Sequence, residues 1–347
     1  MAVFNHPEFD NHEQVVFCSD QETGLKAIIA IHNTRLGPAV GGCRMWDYVA
    51  DEDALVDVLR LSRGMTYKNA MAGLPLGGGK AVIIGNAKTI KSEALFRKFG
   101  QYVHSLSGRY ISAEDVNITT SDISIVGQET PYVAGLDGKS GNPAPFTALG
   151  TYLGLKAAAK HKFGSDALEG LTVAVQGLGS VGFYLCEYLH KEGASLIVTD
   201  INQDAVSRAV AQFGATAVGL DEIYSQHCDI YAPCALGATI NDQTIAQFNC
   251  KIIAGCANNQ LKETRHGEAL RQAGILYAPD YVINAGGIIN VSLELRPQGY
   301  DEAESTAMVR NIYNTLLNIF SRADAQQQPT NLIADVMAQE IIARGKK

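Results

Sequence analysis

Two lysines in the first third of the chain have surroundings that suit amine and proton-transfer chemistry. Lys68 and Lys80 are twelve residues apart, and Lys80 follows a Leu-Pro-Leu-Gly-Gly-Gly segment and precedes an apolar run. A lysine held there is partly desolvated, and a second ammonium nearby also favours its neutral form, which can act as a general base. Asp115 ends another apolar segment and is a candidate partner for Lys80. The alternative for each lysine is an ordinary solvated surface charge.

The run Gly77-Gly78-Gly79-Lys80 also needs testing as a phosphate-binding loop. That motif has a glycine six residues before the lysine and a serine or threonine directly after it. Position 74 is a leucine and position 81 is an alanine, so the match fails. The glycines therefore do not predict a nucleotide site in this part of the chain.

A second glycine-rich turn lies in the middle of the chain and does predict a nucleotide site. An apolar segment runs into Gly177-x-Gly179-x-x-Gly182, and a helical pattern follows. The first glycine allows a tight turn, the second lets a pyrophosphate approach the backbone, and the third lets the helix pack on the strand. The N–H groups that begin the helix, around Ser180 and Val181, are expected to bind the phosphates.

Asp200 ends the next predicted strand, eighteen residues after Gly182. A carboxylate there can accept hydrogen bonds from both ribose hydroxyls of NAD, and it repels the 2′-phosphate of NADP. No arginine occurs at 201–203 to compensate for that repulsion. These residues predict an NAD site, and the alternative is a purely structural strand–helix–strand unit with a tight turn.

Hydrophobic periodicity places these residues on two sets of elements. In the first part of the chain, strands are predicted at 15–18, 26–31, 81–84 and 110–112, and helices at 53–65 and 92–106. After a Gly-, Pro- and Asn-rich linker at 135–145 and a helix at 147–160, strands are predicted at 171–176, 195–199, 229–232, 251–254 and 274–277. Helices are predicted at 181–190, 203–213, 302–320 and 331–343.

This order of elements predicts an α/β protein of two domains. Strands that alternate with helices imply a parallel sheet, here a C-terminal Rossmann-type dinucleotide-binding domain at 138–321. The preceding residues 1–137 form an N-terminal α/β domain that carries the lysines. The last helix, within 322–347, is expected to pack back on that first domain.

Composition excludes several other classes of protein. Hydrophobic residues make up 46% and charged residues 18% of the 347, an ordinary globular balance. A formal net charge of -8 argues against binding to nucleic acid or an anionic membrane. The apolar runs are too short to span a bilayer, and residues 1–14 do not resemble a signal peptide.

The seven cysteines contain no Cys-x-x-Cys pair, although Cys228 and Cys234 are six residues apart, as are Cys250 and Cys256. This pattern predicts buried thiols in a reducing cytoplasm and no structural metal site.

Several motifs occur in an order that resembles one family, the glutamate, leucine, phenylalanine and valine dehydrogenases, and most closely its leucine and phenylalanine branch. The motifs are the glycine turn together with residues 36–44 (Leu-Gly-Pro-Ala-Val-Gly-Gly-Cys-Arg), 65–68 (Met-Thr-Tyr-Lys), 75–80 (Pro-Leu-Gly-Gly-Gly-Lys), 114–116 (Glu-Asp-Val) and 284–290 (Asn-Ala-Gly-Gly-Ile-Ile-Asn). The resemblance implies a substrate and oligomerisation domain followed by the NAD domain, a cleft between them, and a homo-oligomer.

The resemblance also implies a role for each matching residue in a reversible oxidative deamination of an amino acid. Lys68 binds the substrate α-carboxylate, helped by backbone N–H groups near Gly41 and Gly42. Lys80 is the general base that activates water, and Asp115 carries a proton to and from the substrate nitrogen.

Three further residues are implied by the resemblance alone. Asn290 would help to hold the substrate, and Thr147 and Asn259 would contact the nicotinamide side of the cofactor.

The residue before the paired glycines indicates the kind of substrate. Family members that use glutamate have a lysine there, whereas this chain has Val40. An apolar residue cannot pair with a buried substrate carboxylate, and leaving that charge unpaired is costly. The substrate side chain is therefore predicted to be apolar, with Val40, Ala113 and Val291 as candidate pocket residues and plain core packing as their alternative. Leucine is favoured, followed by phenylalanine, tryptophan or valine.

Two other functions remain as alternatives. A 2-hydroxy-acid dehydrogenase normally needs a histidine near an arginine clamp, and the eight histidines show no such local pairing. A non-catalytic NAD-binding sensor predicts a broken catalytic position, yet Lys68, Lys80 and Asp115 are all present.

Overall fold

The computed structural model describes residues 3–136 and 139–345. Its contacts divide the chain into two compact units. The first unit comprises Met1–Gly141, Val291–Tyr300 and Ala338–Lys347, and the second comprises Asn142–Asn290 and Asp301–Met337. The domain boundary predicted between residues 137 and 138 falls on Asp137 and Gly138, which lie outside the described residues.

The first unit is built on a mixed five-stranded sheet in the order β1-β2-β4-β3-β5. β2 is antiparallel to both β1 and β4, and β3 is parallel to both β4 and β5. The strands are β1 (Gln14–Asp20), β2 (Leu25–Asn33), β3 (Ala39–Trp46), β4 (Gly77–Ile84) and β5 (Tyr110–Glu114). The helices that accompany them are α1 (Asp51–Met71), α2 (Glu93–Ser105) and α3 (Thr120–Val126).

One face of this sheet is covered by α2. Ser92 caps the helix by accepting a hydrogen bond from the Leu95 N–H, which satisfies one of the free donors of the first turn. Phe96, Phe99 and Val103 recur at helical spacing and are buried with Ile29 and other apolar residues of the sheet in one core.

The opposite face is covered by α1, which lies unusually close to β4. A Cβ built on Gly78 would lie 2.0 Å from the Thr66 backbone nitrogen and 2.4 Å from its Cα, so only glycine allows this contact. Asn69 donates a hydrogen bond from Nδ2 to the Gly77 carbonyl at 2.6 Å and joins the same two elements. The helix that carries Lys68 is thereby joined to the strand that carries Lys80.

Several elements of this unit differ from the sequence prediction: the helix predicted at 53–65 extends to Met71 and thus includes Lys68, and α3 was not predicted. The strand predicted for 81–84 begins four residues earlier, at Gly77, and no strand was predicted for β3 (Ala39–Trp46). Glycine is a poor strand former, so local propensity does not indicate these strands. Their conformation comes from the ladder, in which β4 lies between β2 and β3.

The second unit contains a six-stranded parallel sheet in the order β11-β10-β9-β6-β7-β8. The strands are β6 (Thr172–Gln176), β7 (Ser195–Thr199), β8 (Thr216–Ala217), β9 (Ile230–Pro233), β10 (Ile252–Ile253) and β11 (Leu276–Tyr277). The order in which strands are added to the sheet reverses between β6 and β9, and ligands of such sheets bind at that switch point, beyond the carboxyl ends of the strands. The predicted two-domain α/β fold with a Rossmann-type sheet is confirmed.

Helices connect these strands and complete the chain. They are α4 (Ala144–Phe163), α5 (Ser180–Lys191), α6 (Gln203–Phe213), α7 (Asp242–Ile245), α8 (His266–Gln272), α9 (Asp280–Ile283), α10 (Gly286–Ser292), α11 (Glu302–Arg310), α12 (Ile312–Gln326) and α13 (Thr330–Arg344). The single helix predicted for 302–320 is wrong, because the chain forms α11 and α12 with Asn311 between them. No helix in the described ranges is long and apolar enough to cross a membrane.

The contact between Gly78 and α1 can be tested with two Gly→Ala variants. Gly78→Ala should destabilise the protein by at least about 3 kcal/mol, because the new methyl group meets backbone atoms that cannot rotate away. Gly64→Ala is the matched control on α1, where an added Cβ meets nothing within 4 Å. It should stabilise the helix by up to roughly 1 kcal/mol. Urea unfolding of both variants measures the difference, and a Gly78→Ala protein as stable as the parent would contradict this packing.

Candidate active site

Lys80 is buried and forms an ion pair with the half-buried Asp115 in the first unit. Lys80 Nζ lies 2.6 Å from Asp115 Oδ2, and only 6% of Lys80 is exposed. Lys80 is on β4 and Asp115 directly follows β5, with β3 between the two strands. A Cβ built on Gly42 of β3 would lie 2.8 Å from the Asp115 Cβ, so the missing side chain leaves room for Asp115 beside β3. The predicted partnership of these two residues is therefore present in the structure.

Arg44 is a second cation on the same carboxylate. It lies two residues after Gly42 and thus on the same face of β3. Its Nε donates to Asp115 Oδ2 at 3.2 Å, and its Nη1 donates to Asp57 Oδ2 at 3.0 Å. Asp57 lies on α1, and Tyr48, which precedes that helix, donates a hydrogen bond from its hydroxyl to Asp57 at 2.6 Å.

These contacts set the charge state of Asp115. Burial by itself raises the pKa of the Asp115 carboxyl, but Lys80 and Arg44 favour the carboxylate more strongly and hold the pKa below its usual value. Burial lowers the pKa of the Arg44 guanidinium, and the carboxylates of Asp115 and Asp57 reverse this and raise it. The site therefore contains an ionised aspartate between two cations.

No role was assigned to Arg44 from the sequence, although the arginine belongs to the glycine-containing motif at 36–44. The sequence signal that could have placed Arg44 near Asp115 is its spacing from Gly42, because residues two apart on a strand share a face. That signal becomes useful only when β3 is known to be a strand.

Lys68 lies in the last turn of α1 and is half-buried. Met65 is three residues earlier, so the two share a face of the helix. The Met65 side chain reaches the backbone of β3, where a Cβ built on Gly41 would lie 3.3 Å from the Met65 Cγ. The face of α1 that carries Lys68 is thus the face turned toward the paired glycines.

The three candidate pocket residues differ in burial. Val40 on β3 is completely buried, whereas Ala113 on β5 and Val291 in α10 are half-buried. Val40 pairs in the sheet with Gly78 on one side and Ile111 on the other. Asn290, in the second unit, is also completely buried and accepts a hydrogen bond from the Ser305 hydroxyl at 3.0 Å.

In the second unit, the glycine turn joins β6 to α5. Gly177 has a φ of 101°, in the left-handed region that favours glycine. A Cβ built on Gly182 would lie 2.0 Å from the Gly177 carbonyl oxygen, so α5 packs against the turn only because this residue is a glycine. Gly179 is different, because a Cβ built there meets nothing within 4 Å. Each glycine has the surroundings that its place in the motif requires.

Asp200 is held beside this turn by two backbone donors. Its Oδ2 accepts a hydrogen bond from the Leu178 N–H at 2.5 Å, and its Oδ1 accepts one from the Asn202 N–H at 2.7 Å. Each carboxylate oxygen can accept a further hydrogen bond. The carboxylate is thus oriented by the protein and retains acceptor capacity for a ligand.

Thr147 and Asn259 lie on other elements of the second unit. Thr147 is in the first turn of α4, and its hydroxyl would lie 2.8 Å from a Cβ built on Gly287. Asn259 follows β10 and has a φ of 52°. Asn284, which follows α9, donates from Nδ2 to Asn258 Oδ1 at 2.6 Å and so joins its own loop to the loop that contains Asn259.

The residues present fit a dinucleotide. The open side of Gly179 lies at the beginning of α5, where free N–H groups and the positive end of the helix favour phosphate. The oriented carboxylate of Asp200 suits ribose hydroxyls. Among the described residues, no group of three or more His, Cys, Asp or Glu side chains is placed to hold a metal ion.

One unit contains a parallel sheet with Rossmann strand order and the glycine turn, and the other carries the lysine–aspartate ion pair. These features define a two-domain nucleotide-dependent dehydrogenase. Residues 12–134 match the family model described as Glu/Leu/Phe/Val dehydrogenase, dimerisation domain. Residues 198–344 match the model described as Glutamate/Leucine/Phenylalanine/Valine dehydrogenase.

Curated relatives match along the whole chain. Leucine dehydrogenase of Bacillus subtilis (strain 168) is 57% identical over 350 residues, which cover 100% of this chain and 96% of the relative. L-tryptophan dehydrogenase of Nostoc punctiforme is 50% identical over 348 residues, covering 100% and 98%. Its crystal structure superposes with a TM-score of 0.86 over 96% of each chain. Phenylalanine dehydrogenase of Caldalkalibacillus thermarum is 45% identical over 348 residues, covering 98% and 94%.

The chain therefore belongs to the glutamate/leucine/phenylalanine/valine dehydrogenase family, and the resemblance drawn from its motifs is confirmed. It is an amino-acid dehydrogenase, and dehydrogenases of this family use NAD or NADP.

Replacement of Arg44 tests whether it positions Asp115 and keeps it ionised. Arg44→Met should lower kcat/KM for amino-acid oxidation about 10- to 100-fold through misplacement of Asp115. Without this cation the pKa of Asp115 rises, so the acidic limb of the pH profile of kcat/KM should move to higher pH.

Arg44→Lys retains the charge and should restore part of the activity and of the pH profile. Arg63→Met is the control, because Arg63 pairs instead with Glu8, at 3.6 Å. An Arg44→Met enzyme whose pH profile overlays that of the parent would show that Arg44 has only a structural role.

Proposed function

We propose that this protein catalyses the reversible, NAD-dependent oxidative deamination of L-leucine to the 2-oxo acid and ammonia. The observation that carries the proposal is the ion pair of the buried Lys80 with Asp115, beside a strand in which Val40 occupies the position of a carboxylate-binding lysine. The similarity to leucine dehydrogenase of Bacillus subtilis supports leucine as the substrate. The first unit would bind the amino acid, and the second unit would bind the nucleotide.

Substrate binding would begin with the α-carboxylate. Lys68 supplies a positive charge on the face of α1 that contacts β3 through Met65. Backbone N–H groups near Gly41 and Gly42 would help to bind the same carboxylate, as the family resemblance implies; both residues pair with β5, whereas the β3–β4 register skips them.

The apolar substrate side chain would lie against Val40, Ala113 and Val291. Burial of a leucine side chain in such a pocket is worth roughly 2 kcal/mol, and a buried glutamate carboxylate would lack a cation partner there. The similarity to tryptophan and phenylalanine dehydrogenases makes an aromatic amino acid the second candidate.

Asp115 and Lys80 would carry out the proton transfers. Because Lys80 and Arg44 keep Asp115 ionised, it can accept a proton from the substrate ammonium and leave the neutral amine that hydride loss requires. NAD, when bound, supplies the acceptor for the hydride that leaves the substrate Cα.

After hydride loss, Lys80, whose ammonium proton must first pass to solvent, would take a proton from the water that adds to the resulting iminium carbon. Asp115 then returns its proton to the nitrogen, the C–N bond breaks to release ammonia, and the hydroxyl proton passes to solvent as the carbonyl forms. The separation of 2.6 Å between Lys80 Nζ and Asp115 Oδ2 supports proton exchange between the two groups.

Asn290 would help to hold the substrate, and its hydrogen bond with Ser305 supports a fixed orientation of its side chain. Thr147 and Asn259 would contact the nicotinamide side of the cofactor. Assembly with further copies of the chain is proposed as well, supported by the match of residues 12–134 to a dimerisation domain.

A panel of L-amino acids tests the substrate. With NAD at alkaline pH, we expect kcat/KM to be highest for leucine, lower for valine, and undetectable for glutamate. A preference for tryptophan or phenylalanine would establish the second candidate instead. Absence of turnover with every amino acid, in a protein that still binds NADH, would overturn the proposed reaction.

Lys80→Ala tests the assignment of the base. The variant should lose about 10³-fold or more in kcat, as expected when a general base is removed, and it should still bind NADH. Lys98→Ala is the matched control, since Lys98 pairs with Asp20 at 3.3 Å on another part of the first unit. Substantial turnover by Lys80→Ala would refute the role of Lys80.

Asp200→Asn tests the preference for NAD. The amide retains an oxygen that can accept the Leu178 N–H but removes the charge that repels a 2′-phosphate. The ratio of kcat/KM for NAD to that for NADP should therefore fall at least about 10-fold, which corresponds to roughly 1.4 kcal/mol. Asp204→Asn, on the exposed first turn of α6, should leave the ratio unchanged. An unchanged ratio in Asp200→Asn would contradict the ribose assignment.

A further inference from the structure

Four of the seven cysteines are arranged by the register of two adjacent strands. β9 and β10 are parallel, and Ile230 pairs with Ile252, an offset of 22 residues. The same offset separates Cys228 from Cys250 and Cys234 from Cys256. One pair therefore precedes the two strands at their amino ends, and the other follows them at their carboxyl ends, on the side of the sheet where the glycine turn lies.

The two residues at the carboxyl ends are in contact. The Cys256 thiol donates a hydrogen bond to the Cys234 carbonyl oxygen, with 4.0 Å between Sγ and the oxygen. Neighbouring strands are about 4.8 Å apart, which lies within the Cα separations that disulfides span. Cys234 is half-buried, whereas Cys228 and Cys250 of the other pair are both buried.

We propose that Cys234 and Cys256 form a reversible disulfide when a peroxide oxidises the protein, and that this bond distorts the adjacent nucleotide turn. The modification site is the pair of thiols at the carboxyl ends of β9 and β10. Its effect on nucleotide binding rests on the function proposed above, whereas formation of the bond does not.

The reaction begins at Cys234. Its pKa is lowered by the hydrogen bond from the Cys256 thiol, and the thiolate is the form that reacts with peroxides. The Cys234 sulfur attacks hydrogen peroxide, the O–O bond breaks, and Cys234 becomes a sulfenic acid with release of one water. The Cys256 sulfur then attacks the Cys234 sulfur, the S–S bond forms, and the hydroxyl group leaves with the Cys256 proton as a second water.

The consequence follows from the contacts of Cys234 with the turn. Its N–H donates to the Gln176 carbonyl at 2.7 Å, directly before Gly177. A Cβ built on Gly182 would lie 3.4 Å from the Cys234 Cβ, so the residue also lies against the beginning of α5. A movement of Cys234 toward Cys256 is therefore transmitted to the backbone that would bind the pyrophosphate.

The other side of the pair is held in place. Gln260 donates two hydrogen bonds from Nε2, to the carbonyls of Gly255 at 2.7 Å and Ala257 at 2.9 Å, on either side of Cys256. Asn284 donates to the Cys256 carbonyl at 3.1 Å. Because Cys256 is braced, closing the disulfide strains the structure at Cys234, and strained disulfides are the easily reduced ones.

The test combines disulfide mapping with nucleotide binding. Reduced protein is treated with hydrogen peroxide, alkylated and digested, and cross-linked peptides are identified by mass spectrometry. NADH affinity is measured by fluorescence titration before oxidation, after oxidation, and after reduction with dithiothreitol. We expect a Cys234–Cys256 cross-link and a rise of at least about 10-fold in the Kd of NADH, both reversed by reduction.

Two serine variants on the same strand pair provide the contrast. Cys256→Ser should form no cross-link at Cys234 and should keep, after peroxide, the NADH affinity of its own reduced form. Cys250→Ser, at the amino end of β10, should respond like the parent protein. Both replacements change one atom, and each variant is compared with itself, so small effects on folding do not obscure the result.

Several outcomes would overturn the proposal. They are a cross-link at Cys228–Cys250 only, irreversible oxidation of Cys234 without a cross-link, and a Cys234–Cys256 cross-link that leaves the Kd of NADH unchanged. Failure of the reduced protein to bind NADH would instead count against the proposed function, while the mapping would still decide whether the disulfide forms.

Discussion

The contact between α1 and β4 at Gly78 is the constraint on which the chemistry of the first unit depends. Thr66 of the helix lies where any other side chain at position 78 would be, so helix and strand meet backbone to backbone. Lys68 follows Thr66 by two residues, and Lys80 follows Gly78 by two. The helix that carries Lys68 and the strand that carries Lys80 are thus joined at a position where a side chain is missing.

Because Lys80 is buried, it needs a partner of opposite charge, and a residue next to a nearby strand supplies it. A buried ammonium without a partner is strongly destabilising, and Asp115 supplies the opposite charge at 2.6 Å. Asp115 in turn shares one oxygen with Arg44, and Asp57 balances the second cation. Two cations and two carboxylates therefore alternate across the face of the sheet. This arrangement keeps Asp115 ionised in spite of its burial and leaves it able to accept a proton.

In the second unit, close packing of backbone atoms shapes the turn that would bind the nucleotide. The turn at Gly177 and Gly182 is compact because backbone fills the space that side chains would occupy, and Cys234 lies directly against it. Residues at the carboxyl ends of the strands are thus in direct contact with the turn that would bind phosphate. A change of bonding at the end of β9 would therefore reach the turn without altering any residue of the motif.

The sequence alone determined the parts of this protein that are contained in one continuous segment. The unit from β6 to β7, with its turn and Asp200, is recognisable because strand, turn, helix and acid follow one another within one supersecondary unit. The helix at Gln203–Phe213 and the strand at Ser195–Thr199 begin and end at the predicted residues for the same reason. The motifs of the first unit also identified the family, because they occur in the family's order.

Only the tertiary structure decided features that depend on strand register. The glycine-containing strands β3 and β4 have weak local propensity and are held by their neighbours, so neither the strand at Ala39–Trp46 nor the position of Arg44 was predicted. The pairing of Cys234 with Cys256 depends on the offset between β9 and β10, which no local pattern encodes. Hydrogen bonds between distant segments set these alignments, and the sequence on its own names the residues without placing them together.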